Sequence, residues 1–233
     1  MEKVVSLLFS DLPGDALRDE LLTRVLPALR AHSWVHTVRL TVADSDVEPA
    51  DAKRMGAAEL PRAALSLWLD EARRLSEVQP LWDDLCSAIH SYQVVEAEPL
   101  VNARTPVDGV TRGEGFCQLA LIKRPQTMDL PGFIAVWQGS HTRIAIDTQS
   151  TFGYRQNRVV NVLSDGAPDW DAIVEEDFPE AAMTSDHAFY AASDDAQLQQ
   201  RQEAMMSSCA RFIDFEHICV VPMSEYLSRP ARP

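Results

Sequence analysis

The segment Asn102-Ala-Arg-Thr-Pro-Val-Asp-Gly-Val-Thr-Arg-Gly-Glu-Gly115 divides the chain of 233 residues into two parts of similar length. It has no apolar periodicity, and its proline and glycines are typical of turns. Segments of this kind connect compact units of a chain. We therefore predict an N-terminal unit over residues 1–101, a linker over residues 102–115 and a C-terminal unit over residues 116–233.

The N-terminal unit is predicted as strand, helix, strand, strand, helix, strand. Its first strand ends at the turn signal Asp11-Leu-Pro-Gly14, and residues 34–42 alternate in the manner of a strand. A closing strand is expected over residues 92–97, ended by Pro99. Apolar residues at helical spacing predict the second helix of this unit, namely Leu75, Val78, Trp82, Leu85 and Ile89.

The C-terminal unit repeats the same order of elements. Strands are expected over residues 116–123, 155–163, 170–178 and 212–221, the last ended by Pro222, with helices after Leu130-Pro131 and over residues 186–209. The order β-α-β-β-α-β is that of a ferredoxin-like unit. Because each antiparallel sheet has an apolar face to bury, the two sheets should pack face to face. The predicted fold class is α+β, with tandem ferredoxin-like repeats forming an intrachain pseudo-dimeric α/β barrel.

The charge of the chain excludes several classes of partner. It carries 21 Lys and Arg against 35 Asp and Glu, a formal net charge of −14. Nucleic acid and anionic membrane surfaces would repel such a surface. There is no signal-peptide pattern and no apolar run of membrane-spanning length, so a cytoplasmic location is expected. The cysteines lack the spacing of a metal site and are expected to be buried free thiols; they are Cys86, Cys117, Cys209 and Cys219.

Four short motifs in the C-terminal unit carry a resemblance. They are Leu121-Ile-Lys-Arg-Pro125, Phe133-x3-Trp137-x3-His141, Trp170-Asp-Ala-Ile-Val-Glu175 and Ala210-Arg-Phe-Ile-Asp214. In this order and spacing the unit resembles the EthD domain family of the dimeric α/β-barrel superfamily, over about residues 115–226. The N-terminal unit looks like a diverged copy, since its helix ends in Ala31-His32 without the Trp-x3-His motif.

The resemblance implies a range of activities. EthD-like proteins are associated with ether degradation and with cyclase or dehydratase steps on polyketides. Related barrels include cofactor-free monooxygenases, isomerases and haem enzymes. A fold that is shared by so many chemistries does not choose among them, so the site has to be argued from its residues.

His141 is the first catalytic candidate. It lies four residues after Trp137 and eight after Phe133, on the apolar stripe of its helix. It could act as a general acid or base or donate a hydrogen bond to a substrate oxygen, or it could be a structural histidine with a satisfied ring. The resemblance leaves these two interpretations about equal.

Glu175 and Asp177 are the second candidates, as partners of His141. They share a strand face with Asp171 and Ile173, and a carboxylate in an apolar barrel has a raised pKa and can move a proton. The alternative, favoured for most of these acids, is an edge strand whose charges prevent aggregation.

The candidate substrate-binding residues are Trp137, Tyr154, Phe133 and His217. The aromatic residues would form a wall and supply a phenolic donor for a flat apolar ligand. His217 would lie on an otherwise apolar face of the last strand. Core packing explains all four equally well.

Motifs for metals and nucleotides are missing from the sequence. There is no His-Glu-x-x-His, and the glycines at 109, 113 and 115 match neither a phosphate-binding loop nor a dinucleotide fingerprint. We therefore expect no metal and no cofactor; for a haem, His141 is the one ligand we would nominate.

Three hypotheses follow. The leading one is a cofactor-free enzyme of lyase, cyclase, dehydratase or monooxygenase type, acting on a small apolar or polyketide-like molecule in a barrel cavity. The second is a non-catalytic carrier or stress-linked protein that uses the same cavity. The third is a barrel filled with side chains that acts through its surface alone. A second copy of the chain is the one protein partner considered, as a homodimer.

Overall fold

A computed structural model describes residues 1–56 and 59–229. Within them, eight antiparallel strands form a closed barrel in the order β1-β3-β2-β8-β5-β7-β6-β4. The strands are β1 (Glu2–Phe9), β2 (Val35–Val42), β3 (Ala63–Leu69), β4 (Ala88–Leu100), β5 (Phe116–Ile122), β6 (Gly153–Val162), β7 (Ala172–Phe178) and β8 (Ile218–Ser228). The predicted α+β barrel is thereby confirmed.

The helices lie between the strands of each half of the chain. The α-helices are α1 (Gly14–Glu20), α2 (Leu26–Arg30), α3 (Leu75–Val78), α4 (Leu130–Ile134), α5 (Thr142–Thr148), α6 (Asp186–Phe189) and α7 (Asp195–Cys209). The π-helical segment Leu21–Val25 joins α1 to α2, and Ala135–His141 joins α4 to α5. Short 3-10 turns are Ser45–Lys53, Ala72–Arg74, Gln79–Leu81, Asp83–Leu85, Glu180–Met183 and Phe215–His217. None of the described helices is long and apolar enough to cross a membrane.

Two seams close the barrel. Strands β4, β1, β3 and β2 are neighbours and come from residues 2–100, whereas β8, β5, β7 and β6 come from residues 116–228. The seams are the pairings of β2 with β8 and of β4 with β6, in which Val38 lies opposite Ser228 and Val95 opposite Arg158. Residues 102–115 contain no strand or helix. The division of the chain into two repeats there stays a prediction.

The apolar core is divided among the two faces of the sheet. One cluster packs beneath the helices of the first half and includes Leu17, Leu29 and Trp82, and another packs beneath those of the second half around Phe133 and Trp137. A third cluster comes from strands all around the barrel and occupies its interior; it includes Val5, Tyr92, Leu119, Ile173 and Val221. Both faces of most strands are therefore buried.

A cluster of charged side chains shares the barrel interior with the apolar residues. It consists of three cations and four acids, which are Lys3, Arg39, Arg155, Glu96, Glu175, Asp177 and Glu225. The Arg155 guanidinium is fully buried and donates to both carboxylate oxygens of Asp177 at 2.6 and 2.7 Å and to Glu225 at 2.6 Å. Pairing of this quality is what allows buried charges to persist in a folded protein.

The structure corrects several predicted elements. The helix expected from Leu75 to Ile89 breaks into short turns after Val78, where Pro80 follows, and Ile89 belongs to β4. Strand β4 also continues past Pro99 to Leu100. Strand β7 is not an edge strand, because it pairs with both β5 and β6 and all its residues are buried.

The last strand begins and ends later than predicted and passes through Pro222. Val220 exchanges both of its backbone hydrogen bonds with Met55, and the ladder of β8 with β2 begins only at Ser224. Because alternate residues of a strand point their backbone groups to the same side, the nitrogen of Pro222 faces the gap between these pairings. Among the described residues no hydrogen bond of the sheet is lost there, so the proline is tolerated.

Gly115, at the entrance to β5, should not tolerate a side chain. Its φ is +68°, and a Cβ at this position would overlap the carbonyl oxygen of Phe178. We expect Gly115→Ala to lower the free energy of unfolding by about 1–3 kcal/mol or more in urea denaturation. Gly139→Ala is the matched control, since no described atom lies within 4 Å of that Cβ, and it should leave stability unchanged or raise it slightly. Equal stability of the two variants would contradict the expectation.

Candidate functional site

A cavity of about 290 Å³ lies between the outer face of the sheet and the helices of the second half. Its floor is formed by β5 to β8, and its walls by the helical residues 130–148 and by α6 and α7. The cavity is therefore outside the barrel, and the prediction of a cavity within the barrel does not describe it. Its lining includes Gln118, Trp137, His141, Gln149, Tyr154, Glu176, Tyr190, Met205, Met206 and Cys209.

His141 is buried and faces this cavity from the π-helical segment before α5. Its Nδ1 lies 2.9 Å from the Ser208 hydroxyl, and its ring packs against Phe212 with centroids 4.7 Å apart. Burial lowers the pKa of His141 to about 4, and the positive charge of the nearby Arg211 contributes in the same direction. The imidazole is therefore neutral at pH 7, so it is a hydrogen-bond donor or acceptor rather than a cation.

Glu176 is the carboxyl group of the cavity. It lies on β7 opposite Tyr154 and is 9 % exposed, and its side chain makes no hydrogen bond or ion pair to any residue that the structure describes. Burial raises its pKa to about 7, and the negative charge of Asp177 adds to the shift. A carboxyl group with a pKa near the working pH can both take up and release a proton, which suits it to act as a general acid or base.

An aromatic pair forms the wall next to Glu176. Trp137 donates from Nε1 to the Tyr154 hydroxyl at 3.3 Å, and both side chains are fully buried. Burial raises the pKa of Tyr154 far above its usual range, so its hydroxyl stays protonated. Phe133 packs behind Trp137 with ring centroids 5.3 Å apart and belongs to the core beneath the cavity rather than to its lining.

The structure does not bring the other predicted residues to His141. Glu175 and Asp177 point into the barrel because side chains of a strand alternate, and there they are paired with Lys3, Arg39 and Arg155. The pKa of Glu175 is held far below its usual range: burial alone would raise it, but these cations outweigh burial. His217 lies in an exposed 3-10 turn, bonded to Asp214 at 3.0 Å beside a separate surface depression.

Sequence reasoning missed Glu176, although the signal was present. The strand carries acids at three consecutive positions, so one of the three must face away from the other two. Glu175 and Asp177 share one face with Asp171 and Ile173, and Glu176 shares the other face with Ala172, Val174 and Phe178. In a strand that is buried on both faces, however, alternation alone does not distinguish the face that lines a cavity.

The first half of the chain contributes to the mouth of the cavity. Lys53 and Met55 line it, and Lys53 reaches across to Asp186 at 3.1 Å and lies 4.5 Å from the Phe189 ring centroid. The Asp186 side chain is 60 % exposed, so this ion pair is worth little on its own. It closes part of the opening without sealing it.

One group of possible metal-binding atoms lies inside the barrel. The Cys117 thiol and the carboxylates of Asp177 and Glu225 have ligand atoms within 4.8 Å of one another. Arg155 donates to both carboxylates, however, and burial raises the pKa of the Cys117 thiol well above its usual range. A protonated thiol and a guanidinium in the centre do not suit a cation, so this group does not fit a metal.

Three solved structures are similar to this chain over nearly their whole length. An anthrone oxidase-like protein has 12% identity and a TM-score of 0.62, over 99% of this chain and 94% of its own. A "putative monooxygenase" from Lactobacillus acidophilus NCFM has 6% identity and a TM-score of 0.50, over 98% and 95%. A "putative monooxygenase" from Fusobacterium nucleatum subsp. nucleatum ATCC 25586 has 5% identity and a TM-score of 0.52, over 100% and 95%.

At such low identity these similarities show the fold alone, which is that of the dimeric α/β barrels. No family model matches the chain, and no curated protein matches it either. Membership of the EthD family is therefore not shown, and function has to be argued from the cavity.

Proposed function

We propose that this protein is a small-molecule monooxygenase that oxidises an apolar, aromatic carbon acid of the anthrone type, without a metal or an organic cofactor. The observation that carries the proposal is Glu176, a buried carboxyl group with a pKa of about 7 that has no partner among the described residues and faces a largely apolar cavity. Such a group is costly to keep unless it acts on something that enters the cavity.

Glu176 is assigned as the general base. It takes a proton from a methylene group that is activated by flanking aromatic rings and a conjugated carbonyl group, and it leaves a delocalised carbanion. The carbanion gives electrons to O2 and forms a C–O bond, and the proton returns to the distal oxygen to give a hydroperoxide. Loss of the remaining C–H proton with cleavage of the O–O bond releases water. In sum, one methylene group and one O2 molecule give one carbonyl group and one water molecule, so that carbon is oxidised and O2 is reduced.

The rest of the cavity suits such a substrate. Trp137 and Tyr154 form an aromatic wall, and Met205 and Met206 supply adaptable apolar contacts. The volume of about 290 Å³ is at the small end of the range for ligand sites and favours a compact ring system. His141 and Tyr154 are neutral donors that could bind an oxygen atom on which negative charge develops.

The similar structures support the reaction class only in their descriptions, as an anthrone oxidase-like protein and as monooxygenases. Carried over to this chain, those descriptions agree with a base in an apolar cavity.

The second candidate is a non-catalytic binding protein, and the small cavity with its weak ion pair at the mouth is the observation that favours it.

Oxygen uptake with anthrone as the probe tests the proposal. We expect the purified protein to consume one O2 per anthraquinone formed, above the rate with heat-denatured protein, in the presence of a metal chelator. Because the base must be ionised, kcat/KM should rise with pH and level off above the pKa of Glu176, near pH 7. Tight binding of anthrone with no turnover above background would favour the binding protein instead.

A further inference from the structure

Ser208 and Arg211 lie behind His141, on the side away from the cavity lining. Ser208 is on α7 and 2 % exposed, and its hydroxyl lies 2.9 Å from Nδ1 of His141. Arg211 donates from one guanidinium nitrogen to the Ser208 hydroxyl at 3.0 Å and to the Ser140 hydroxyl at 3.0 Å. Neither Ser208 nor Arg211 lines the cavity.

The direction of the bond between Ser208 and His141 follows from counting hydrogens. A hydroxyl group has one hydrogen to donate, and a guanidinium can only donate. The Ser208 oxygen therefore accepts from Arg211. Among the described residues, Nδ1 of His141 is the one acceptor within bonding distance of the Ser208 hydroxyl. Because a buried hydroxyl is costly when its hydrogen is unused, it donates to Nδ1.

A neutral imidazole that accepts at Nδ1 carries its proton on Nε2. Nε2 of His141 makes no hydrogen bond within the described part of the chain, while the ring lines the cavity. The low pKa of the imidazole agrees with a neutral ring. We infer that Arg211 and Ser208 are positioning residues that lock His141 in the Nε2–H tautomer, so that His141 presents a hydrogen-bond donor to a ligand oxygen.

This assignment deepens the proposed function, on which its substrate part rests. A donor at His141 and a base at Glu176 in one cavity match a carbonyl compound with an acidic C–H conjugated to its oxygen. Removal of that proton places negative charge on the oxygen, where the Nε2–H stabilises it. A hydrocarbon without such an oxygen would meet the base at Glu176 but would offer no acceptor to the donor at His141.

The tautomer can be measured directly by 15N NMR of the histidine side chains in the whole protein. The chain has six histidines, and His141→Gln identifies the relevant signals by their loss. We expect a pyridine-type Nδ1 and a pyrrole-type Nε2 at pH 7. A pyrrole-type Nδ1 in the wild-type protein would overturn the inference at once.

Two variants of Ser208 separate positioning from packing. Ser208→Thr keeps the hydroxyl and should keep the tautomer, whereas Ser208→Ala removes the donor to Nδ1 and should give a mixture of both tautomers. With 1,8-dihydroxyanthraquinone as the probe, we expect Ser208→Ala to bind about tenfold more weakly than the wild type. Ser208→Thr should bind as tightly as the wild type. Unchanged tautomer and affinity in Ser208→Ala would contradict the inference.

Failure of the proposed function can be told apart from failure of this inference. The NMR measurement needs no turnover, and Glu176→Gln should abolish oxidation while leaving the His141 tautomer as it is. If His141 has the Nε2–H tautomer but the protein takes up no oxygen, the positioning role of Ser208 and Arg211 stands and the proposed monooxygenase function is wrong.

Discussion

The Glu176→Gln variant is expected to lose turnover and to be more stable than the wild type. Glutamine keeps the size of the side chain but cannot take a proton, so kcat on anthrone should fall by about 10²–10⁴-fold, the usual worth of a general base. Binding of the product-like 1,8-dihydroxyanthraquinone should change little, because glutamine preserves the shape of the cavity. Stopped-flow oxidation and equilibrium binding measure the two effects separately.

The gain in stability follows from the pKa of Glu176. In the unfolded chain this carboxyl loses its proton near pH 4.5, but in the folded protein it does so near pH 7. Between these values the unfolded state ionises first, so the folded state becomes less stable as the pH rises. This loss of folding free energy is fully present above pH 7 and amounts to about 3 kcal/mol.

Urea unfolding at two pH values tests this expectation. Glu176→Gln should be about 3 kcal/mol more stable than the wild type at pH 8 and nearly equal to it at pH 4. Glu180→Gln, a change at an exposed acid two residues after β7, is the matched control and should alter neither stability nor turnover. Full activity in Glu176→Gln would remove the base from the proposed function.

Arg155→Met should have the largest effect on folding. It leaves the carboxylates of Asp177 and Glu225 buried without the guanidinium that bonds them at 2.6 to 2.7 Å. Removing one partner of a buried ion pair typically costs about 3–5 kcal/mol, which is a large part of the stability of most domains. Thermal and urea unfolding of the purified variant measure this loss.

A compensated variant keeps this prediction testable if Arg155→Met does not fold. Adding Asp177→Asn and Glu225→Gln removes the two negative charges that Arg155 compensated, and the triple variant should recover most of the lost stability. Arg143→Met is the surface control, because the Arg143 side chain is 79 % exposed and pairs only with Asp147 among the described residues. It should cost no more than about 0.5 kcal/mol. Similar losses for Arg155→Met and Arg143→Met would contradict the role assigned to the barrel interior.

The barrel could be predicted from the sequence because its signals are local. Alternation along residues 34–42, turn residues after each strand and the repeated order of elements all depend on neighbours in the chain. The helix expected around Trp82 is wrong although the signal that interrupts it is also local. Its apolar spacing is helical, but Pro80 interrupts the backbone and the following residues enter β4.

The candidate site could be predicted only in part. His141, Trp137 and Tyr154 do lie on one cavity, because the helical stripe that carries the first two packs over the strand that carries the third. Glu176, Ser208 and Arg211 were missed. Which of three consecutive acids faces the helices depends on how β7 is paired on both sides, and Ser208 approaches His141 only through a contact 67 residues apart in the chain.

The charges inside the barrel determine which sheets can pair with one another. The first half contributes Lys3, Arg39 and Glu96, a formal sum of +1, and the second contributes Arg155 with three acids, a sum of −2. Two copies of the second half in one barrel would enclose four uncompensated negative charges, and like charges at close range oppose such assembly. The interior thus favours the union of the two unlike halves over self-association of either one.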